Sequence, residues 1–281
     1  MDSTPRSKLI AAPFLDYCIS KFGWRGLSKH KVMDIGCGKH LNLGKTLLKR
    51  FPRIKSVIGI DRNPEIVVHA RCHKVKRLKC NVGDIEYRNS LEGFEGRISK
   101  VISTYTFHHV MKTEAFRNVH LMLRPGGEAG FLFYIRSGVH EWLTEMLSKS
   151  KWKSFYKGED IPDVLPQELS SVQYQAMVLK LGFTIVDCHE ETKVTSCISD
   201  ETCKKAVYKL TLTYFDIPTE LRNDFKEDAF HIFVKIHGRN REGKPCYTAT
   251  ELLLLIRKSV TKVRNIKYLK WKHLIRSRSR G

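Results

Sequence analysis

Short, largely apolar stretches that close on an acid or a glycine turn recur through the first third of the chain. They are Val32-Met33-Asp34-Ile35-Gly36-Cys37-Gly38, Ser56-Val57-Ile58-Gly59-Ile60-Asp61 and Leu78-Lys79-Cys80-Asn81-Val82-Gly83-Asp84. Runs of this length, bounded by turn residues, predict strands, and the most apolar of them suit strands buried on both faces. Between the first two, apolar residues at 41, 43, 47, 48 and 51 follow helical spacing. Leu41 to Phe51 is therefore expected as a helix whose amide end faces the first turn. A fourth strand is expected over Ile98 to Phe107, a helix over Thr113 to Leu123, a break at Arg124-Pro125-Gly126-Gly127, and a fifth strand over Ala129 to Ile135. Further on, Gln173 to Leu181 reads as a helix capped by Gly182, Phe183 to Val186 opens a sixth strand, and Thr248 to Lys258 is the last. Pro13 to Phe22 is expected as an earlier helix closed by Gly23, and Cys203 to Ile236 as helical cover. Such alternation predicts a doubly wound α/β sheet.

The first turn carries the candidate chemistry. Gly36 and Gly38 permit a sharp turn and close approach of a ligand, although two glycines after a strand also make a plain tight turn. Asp61 lies 23 residues beyond Gly38, a spacing that suits an acid binding the ribose hydroxyls of an adenosine ligand. Position 41 is Leu, so the third glycine of a dinucleotide fingerprint is missing, and there is no G-x-x-x-x-G-K-[ST] loop. His108 and His109 follow the fourth strand, at the end where open α/β sheets collect their ligands. A histidine there is also commonly hydrogen-bonded to its neighbours and nothing more.

Composition narrows the setting. The chain has 281 residues and a formal net charge of +21, so it should attract anions. Residues 259–281 hold eight Lys or Arg and no acid; this basic C-terminal tail suits weak association with anionic membranes, or a disordered tail without a partner. Eight scattered cysteines without a C-x-x-C pair fit a reducing compartment. His69, Cys72 and His73 could share a helix face, but no matching pair lies downstream, so no metal is expected. Met1 to Ala12 has no apolar run of signal-peptide length, and no stretch of ~18 apolar residues occurs. The expectation is a soluble, cytoplasmic protein. The aromatic residues Trp142, Trp152, Phe155 and Tyr156 are core or part of a lid over the strand ends. Nucleic acid is not an expected partner, since no Asn-Pro-Pro-Tyr-like motif follows the fourth strand.

The Asp34-x-Gly36-x-Gly38 turn resembles the first motif of class I S-adenosylmethionine-dependent methyltransferases. From about Phe14 to Lys258 the chain is similar to the juvenile hormone acid methyltransferase family within that class. Phe14-Leu15-Asp16-Tyr17-Cys18, Asp61, Asp84-Ile85-Glu86, Phe107-His108, Leu123 to Gly127, Lys151-Trp152-Lys153, Gly182-Phe183 and Ile217-Pro218 carry the likeness in shared order. It implies a Rossmann-like seven-stranded methyltransferase sheet with an antiparallel last strand. It also implies one domain over 1–258, with helical cap insertions at about 138–171 and 199–246. The implied reaction is methylation of the carboxylate of a small lipophilic acid, such as farnesoic or juvenile hormone acid, from S-adenosylmethionine. Asp34, Gly36 and Gly38 would hold the methionine part, Asp61 the ribose, Asp84 with Ile85 the adenine, and His108 and His109 the acceptor.

Three positions depart from that family. His40 stands at the third glycine place, His109 where the family has Trp, and Met1 to Ala12 lacks an Asn-x-x-Gln segment. These departures motivate an alternative, a non-catalytic relative that binds an apolar acid or a protein partner.

Overall fold

In the computed structural model, which describes residues 6–158, 169–212 and 214–260, seven strands form one sheet. They are β1 (Lys31–Ile35), β2 (Ser56–Asp61), β3 (Leu78–Val82), β4 (Ile98–Thr104), β5 (Leu123–Arg136), β6 (Phe183–Ser196) and β7 (Cys246–Lys258). Their spatial order is β3-β2-β1-β4-β5-β7-β6, with β7 antiparallel to both neighbours and the first five strands parallel. The chain runs outward from β1 to β3 and then returns to place β4 against the other side of β1. Strand order therefore reverses between β1 and β4, and the crevice outside their carboxyl ends is where an open sheet binds its ligand.

The sequence pattern explains why the middle strands sit deepest. Every residue of β4 except Thr104 is buried, and its side chains alternate between two cores. Val101 packs with Met33, Phe116 and Phe131 on one face, while Ile102 packs with Leu15, Val32 and Leu47 on the other. The second face is covered by α1 (Arg6–Phe22) and α2 (Asn42–Arg50), while α3 (Pro64–Cys72) links β2 to β3; the first is covered by α4 (Lys112–Met122) and the helix Ser171–Lys180. Each fully buried Phe or Leu here contributes about 1.5–3 kcal/mol relative to exposure.

A third core belongs to the helical cap. There α5 (Val139–Ser148), the helix Asp200–Thr211 and the helix Arg222–His237 pack around Trp142, Trp152, Phe215 and Phe225. Both indoles are tied to the last of these helices: Trp142 Nε1 donates to the Ala229 carbonyl at 2.9 Å and Trp152 Nε1 to Asp228 Oδ2 at 2.8 Å. Trp152 is thus cap core.

Several boundaries differ from the sequence reading. The first helix starts at Arg6, with Pro13 inside it, because Ala11 and its neighbours bury against the sheet. The fourth strand stops at Thr104, three residues early, where Tyr105 turns left-handed with φ 54°. The fifth starts at Leu123, ahead of the Arg124 to Gly127 break, which the sheet absorbs as a register shift between the Ile98 and Lys100 pairings. The expected basic tail lies outside the described residues from 261 onward, as do residues 159–168 of the first cap insertion and Met1 to Pro5. No helix among the described residues is long and apolar enough to cross a membrane.

At the amino-terminal side of the sheet, Glu128 gathers a buried polar cluster. Lys100 Nζ donates to it at 2.5 Å, Trp24 Nε1 at 2.7 Å and Arg257 Nη2 at 2.8 Å. Burial pushes the Glu128 carboxyl up, but Lys100, Trp24 and Arg257 outweigh it and hold the group below the usual carboxylate range. A lowered folded value means the cluster stabilises the fold above the ordinary ~4.3 of Glu, and that this stability is lost as pH falls through the folded value. Glu128→Ala, which strands Lys100, is expected to cost about 3–5 kcal/mol at pH 7 in urea unfolding. Below pH ~4 the cost should shrink, and a constant difference from pH 3 to 7 would refute this account.

Candidate functional site

The turn after β1 is held by one carbonyl. Ile60 O accepts from Gly36 N–H at 2.8 Å and from Cys37 N–H at 3.1 Å, which binds the turn to the end of β2. Gly36 has φ +70°, and a Cβ there would lie 1.9 Å from Thr106 Oγ1. Glycine is required twice over, by conformation and by space. Gly38, at φ +62°, donates its N–H to Asp61 Oδ2 at 3.2 Å, and a Cβ there would meet nothing within 4 Å. The other Asp61 oxygen accepts from Asn63 N–H at 3.1 Å. Asp61 therefore fixes the turn while keeping a face on the crevice.

Asp34 stands behind this turn. It is 2% exposed, and its Oδ2 accepts from Gly44 N–H at 3.1 Å, anchoring the first turn of α2. Burial pushes the carboxyl up to about 7, against the downward pull of the Gly44 N–H. His40 is exposed, and the left-handed non-glycine residue of the loop is Leu41, φ 55°, which caps α2 without a side-chain hydrogen bond.

Two hollows and a chamber open at the carboxyl ends of the strands. The first hollow, about 200 Å³, is lined by Gly36, Asp61, Asp84, Ile85, Tyr105 and His109, among others. A second, about 90 Å³, contains Asp34, Gly36, Gly38 and His40. Gly36 borders both, so all six residues expected at the cofactor come together around one glycine turn. Asp84 also caps its own turn, its Oδ1 accepting from Glu86 N–H at 3.0 Å. Ile85 is buried, and its carbonyl accepts from Asn118 Nδ2 of α4 at 2.7 Å, which fixes the backbone expected at the adenine. Sequence reasoning did not single out Asn118. Tyr105 is held from two sides: its hydroxyl donates to Glu251 Oε1 at 2.7 Å and its ring stacks on Tyr134 at 5.0 Å. A strained backbone so firmly held at a crevice is what functional sites commonly show.

The chamber, about 340 Å³, lies between the ends of β4 and β5 and the cap. Its wall is mostly aromatic and aliphatic, including Tyr134, Trp142, Leu210, Tyr214 and Phe233. His108 and His109 both line it, with ring centroids 3.8 Å apart, and His109 also lines the 200 Å³ hollow. Burial pushes His108 down to about 3, helped by the neighbouring His109 and Lys112. His109 is lowered by desolvation and then by Arg62 and Lys112. At neutral pH both rings are neutral hydrogen-bonding groups. Of the chamber's cap residues, Trp142 was expected as core or lid, whereas Leu210, Tyr214 and Phe233 were not singled out, because they come from a stretch that the sequence showed only as apolar cover.

His69, Cys72 and His73 do not assemble: His73 Nε2 lies 3.0 Å from the Lys39 carbonyl. Among the described residues no three His, Cys, Asp or Glu side chains group to hold a metal.

Residues 32–127 match the family model described as Methyltransferase domain. The chain is similar in fold to a Galdieria sulphuraria protein provisionally named a sarcosine dimethylglycine methyltransferase, at 14% identity and TM-score 0.57, covering 90% of this chain and 86% of the other. It is similarly like a provisionally assigned methyltransferase from Bacillus halodurans C-125, at 14% identity and TM-score 0.56, covering 87% and 98%. A third likeness is to Haemonchus contortus phosphoethanolamine N-methyltransferase 2 in complex with phosphomonomethylethanolamine and S-adenosylhomocysteine, at 15% identity and TM-score 0.52, covering 87% and 52%. Comparison with curated protein sequences gave no match. The fold is the Rossmann-like methyltransferase fold. The match to a methyltransferase domain covers residues 32–127, and S-adenosylmethionine is the cofactor that such a domain takes.

The residues present fit that cofactor. The turn leaves open space above Gly38, Asp61 offers a carboxylate beside it, and Ile85 supplies a fixed apolar wall.

Two outcomes follow from this geometry. Gly36→Ala should cost about 2–4 kcal/mol in urea unfolding, and adding Thr106→Gly should recover only part, since the strain at φ +70° remains. Full recovery would show that the clash alone mattered. Asp34 carries the opposite sign to Glu128: its folded value is raised, so the stability it permits below the ordinary ~3.9 is lost as pH rises toward 7. Asp34→Asn, which keeps an acceptor for Gly44, should remove that slope between pH 4 and 7. Parallel stability curves for variant and wild type would contradict it.

Proposed function

We propose that this protein methylates the carboxylate of a small lipophilic acid, of the farnesoic or juvenile hormone acid type, using S-adenosylmethionine. One observation carries the reading: His109 forms a wall of both the glycine-turn hollow and the apolar chamber, so an acceptor in the chamber meets the cofactor site across one side chain. A chamber of about 340 Å³ lies within the ~300–1,000 Å³ of small-molecule pockets, and its aromatic wall suits an apolar body.

The chemistry asks little of the protein beyond placement. The bound cofactor supplies an activated methyl group. A carboxylic acid of pKa around 4 is already ionised at neutral pH, so its oxygen can take the methyl group without a general base. The neutral imidazoles of His108 and His109 are consistent with this, since they can orient an oxygen by N–H donation. The apolar wall that the cap contributes would strip water from a bound carboxylate, which favours its attack.

A second reading, a non-catalytic relative that binds an apolar acid or a protein partner, rests on His109 standing at the Trp place of the family and His40 at the third glycine. The two readings separate in one experiment. Isothermal titration with S-adenosylmethionine should show binding that Asp61→Ala weakens by about 1.5–3 kcal/mol, since a charge-assisted contact and an anchor of the turn are lost together. In the same preparation, labelled methyl should pass from S-adenosylmethionine to farnesoic acid. Cofactor binding without transfer to any acid would favour the non-catalytic reading. Unchanged affinity in the variant would remove Asp61 from the site.

A further inference from the structure

Besides the two histidines of the sheet, the cap brings His237 to the chamber wall, at the end of the helix Arg222–His237. Its ring is held in place by packing. The centroids of Phe233 and Tyr247 lie 4.5 Å and 5.0 Å from its own. A Cβ at Gly138, which also lines the chamber, would lie 2.6 Å from His237 Cε1 and 3.0 Å from Nε2, so the absence of a side chain there makes room for the ring.

Hydrogen bonding decides which nitrogen of His237 carries the proton. The Thr248 backbone N–H can only donate, and it donates to His237 Nδ1 at 3.3 Å. Burial holds the imidazole below the usual histidine range, against the pull of Glu141, so the ring is neutral at neutral pH. A neutral imidazole keeps one N–H, and with Nδ1 accepting it is Nε2–H. The bond from Thr248 is the only one that His237 makes among the described residues. Its Nε2–H is therefore a spare donor on the Gly138 side of the chamber.

Strand β7 sets the distance between this donor and the histidines of the sheet. His108 packs on Tyr134 with centroids 5.2 Å apart, and Tyr134 pairs with Glu251. His237 is tied to Thr248, three residues nearer the start of β7. At ~3.3 Å per strand residue the two stations lie about 10 Å apart along the strand.

We infer that His237 is a specificity-determining residue: its Nε2–H donates to a second oxygen of the acceptor. The chamber then prefers an apolar acid that bears a hydroxyl, carbonyl or ether oxygen roughly 10 Å from its carboxylate. This rests on the acid-methylation reading above, which puts the carboxylate beside His108 and His109. A plain hydrocarbon tail would cover Nε2–H and leave it unpaired, and a site built to hydrogen-bond an oxygen discriminates against the analogue lacking it for that reason.

The test uses the full chain saturated with S-adenosylhomocysteine, with dodecanoic, 3-hydroxydodecanoic and 8-hydroxydodecanoic acid as probes in calorimetry. The 8-hydroxy acid should bind about 5-fold tighter than dodecanoic acid, in line with one added hydrogen bond, and the 3-hydroxy acid should gain nothing. His237→Phe should abolish the preference while S-adenosylhomocysteine affinity stays unchanged, which also certifies the folded state. His237→Gln, which keeps a side-chain amide donor, should retain most of it. Nitrogen NMR of the wild type, with the His237 signal assigned through His237→Gln, should place the ring proton on Nε2. Equal or weaker binding of the 8-hydroxy acid, a preference undiminished in His237→Phe, or a proton on Nδ1 would each overturn the inference. So would a His237→Gln variant as deficient as His237→Phe, since that marks a packing role. Methyl transfer measured in parallel keeps the two proposals apart. A preference that needs His237 without methylation of either acid sinks the enzymatic reading alone, whereas methylation of the plain and 8-hydroxy acids with equal KM sinks the role of His237 alone.

Discussion

The fit of Gly36 under Thr106 is the constraint on which the rest of the site depends. Two strands of the sheet, β1 and β4, end side by side, and the turn leaving β1 must pass beneath the turn leaving β4. Only a residue without a Cβ passes there, at φ +70° and with a Cβ position 1.9 Å from Thr106 Oγ1. Because Ile60 O grips both Gly36 and Cys37, the same turn also fixes the end of β2 and hence Asp61. Thr106 in turn sits between Tyr105 and the short turn bearing His108 and His109, whose N–H at 109 donates to the Thr106 carbonyl at 3.0 Å. One steric contact thus ties the glycine turn to the wall of the chamber.

Electrostatics divides the molecule into regions with different tasks. Glu128 and its three partners form a satisfied cluster at the far side of the sheet and serve the fold. Asp34 is buried behind the glycine turn with its carboxyl raised to about 7, so its service is mechanical: it holds Gly44 and the start of α2. At the chamber, burial and Lys112 keep His108 and His109 neutral, and proton transfer near neutrality is not what these rings are set up to do. That suits transfer to an oxygen already ionised in solution.

The sheet was largely legible because buried parallel strands write themselves as short apolar runs, and the acids that close them fell where the crevice lies. Asp61, Asp84 and Ile85 are read from that pattern alone plus resemblance. What the pattern could not show were the departures of backbone from habit. Tyr105 and Leu41 take left-handed conformations that glycine usually supplies, and both are imposed by tertiary packing: a stacked, hydrogen-bonded ring in one case, a side chain buried beside Val67 and Ala70 in the other. The strand after Ile98 was therefore read three residues too long. Asn118 and the cap residues other than Trp142 were missed for a different reason. Their roles exist only after distant segments meet, and local periodicity carries no trace of such meetings.

The central claim is that one imidazole, His109, is shared by the cofactor site and the acceptor chamber. The direct measurement is the nitrogen and proton shifts of the histidine rings by NMR, with His109 assigned through His109→Gln, as S-adenosylhomocysteine and then farnesoic acid are added. The account predicts that His109 responds to each ligand separately while His108 responds mainly to the acid. A His109 signal that moves with only one of the two ligands would contradict the shared wall.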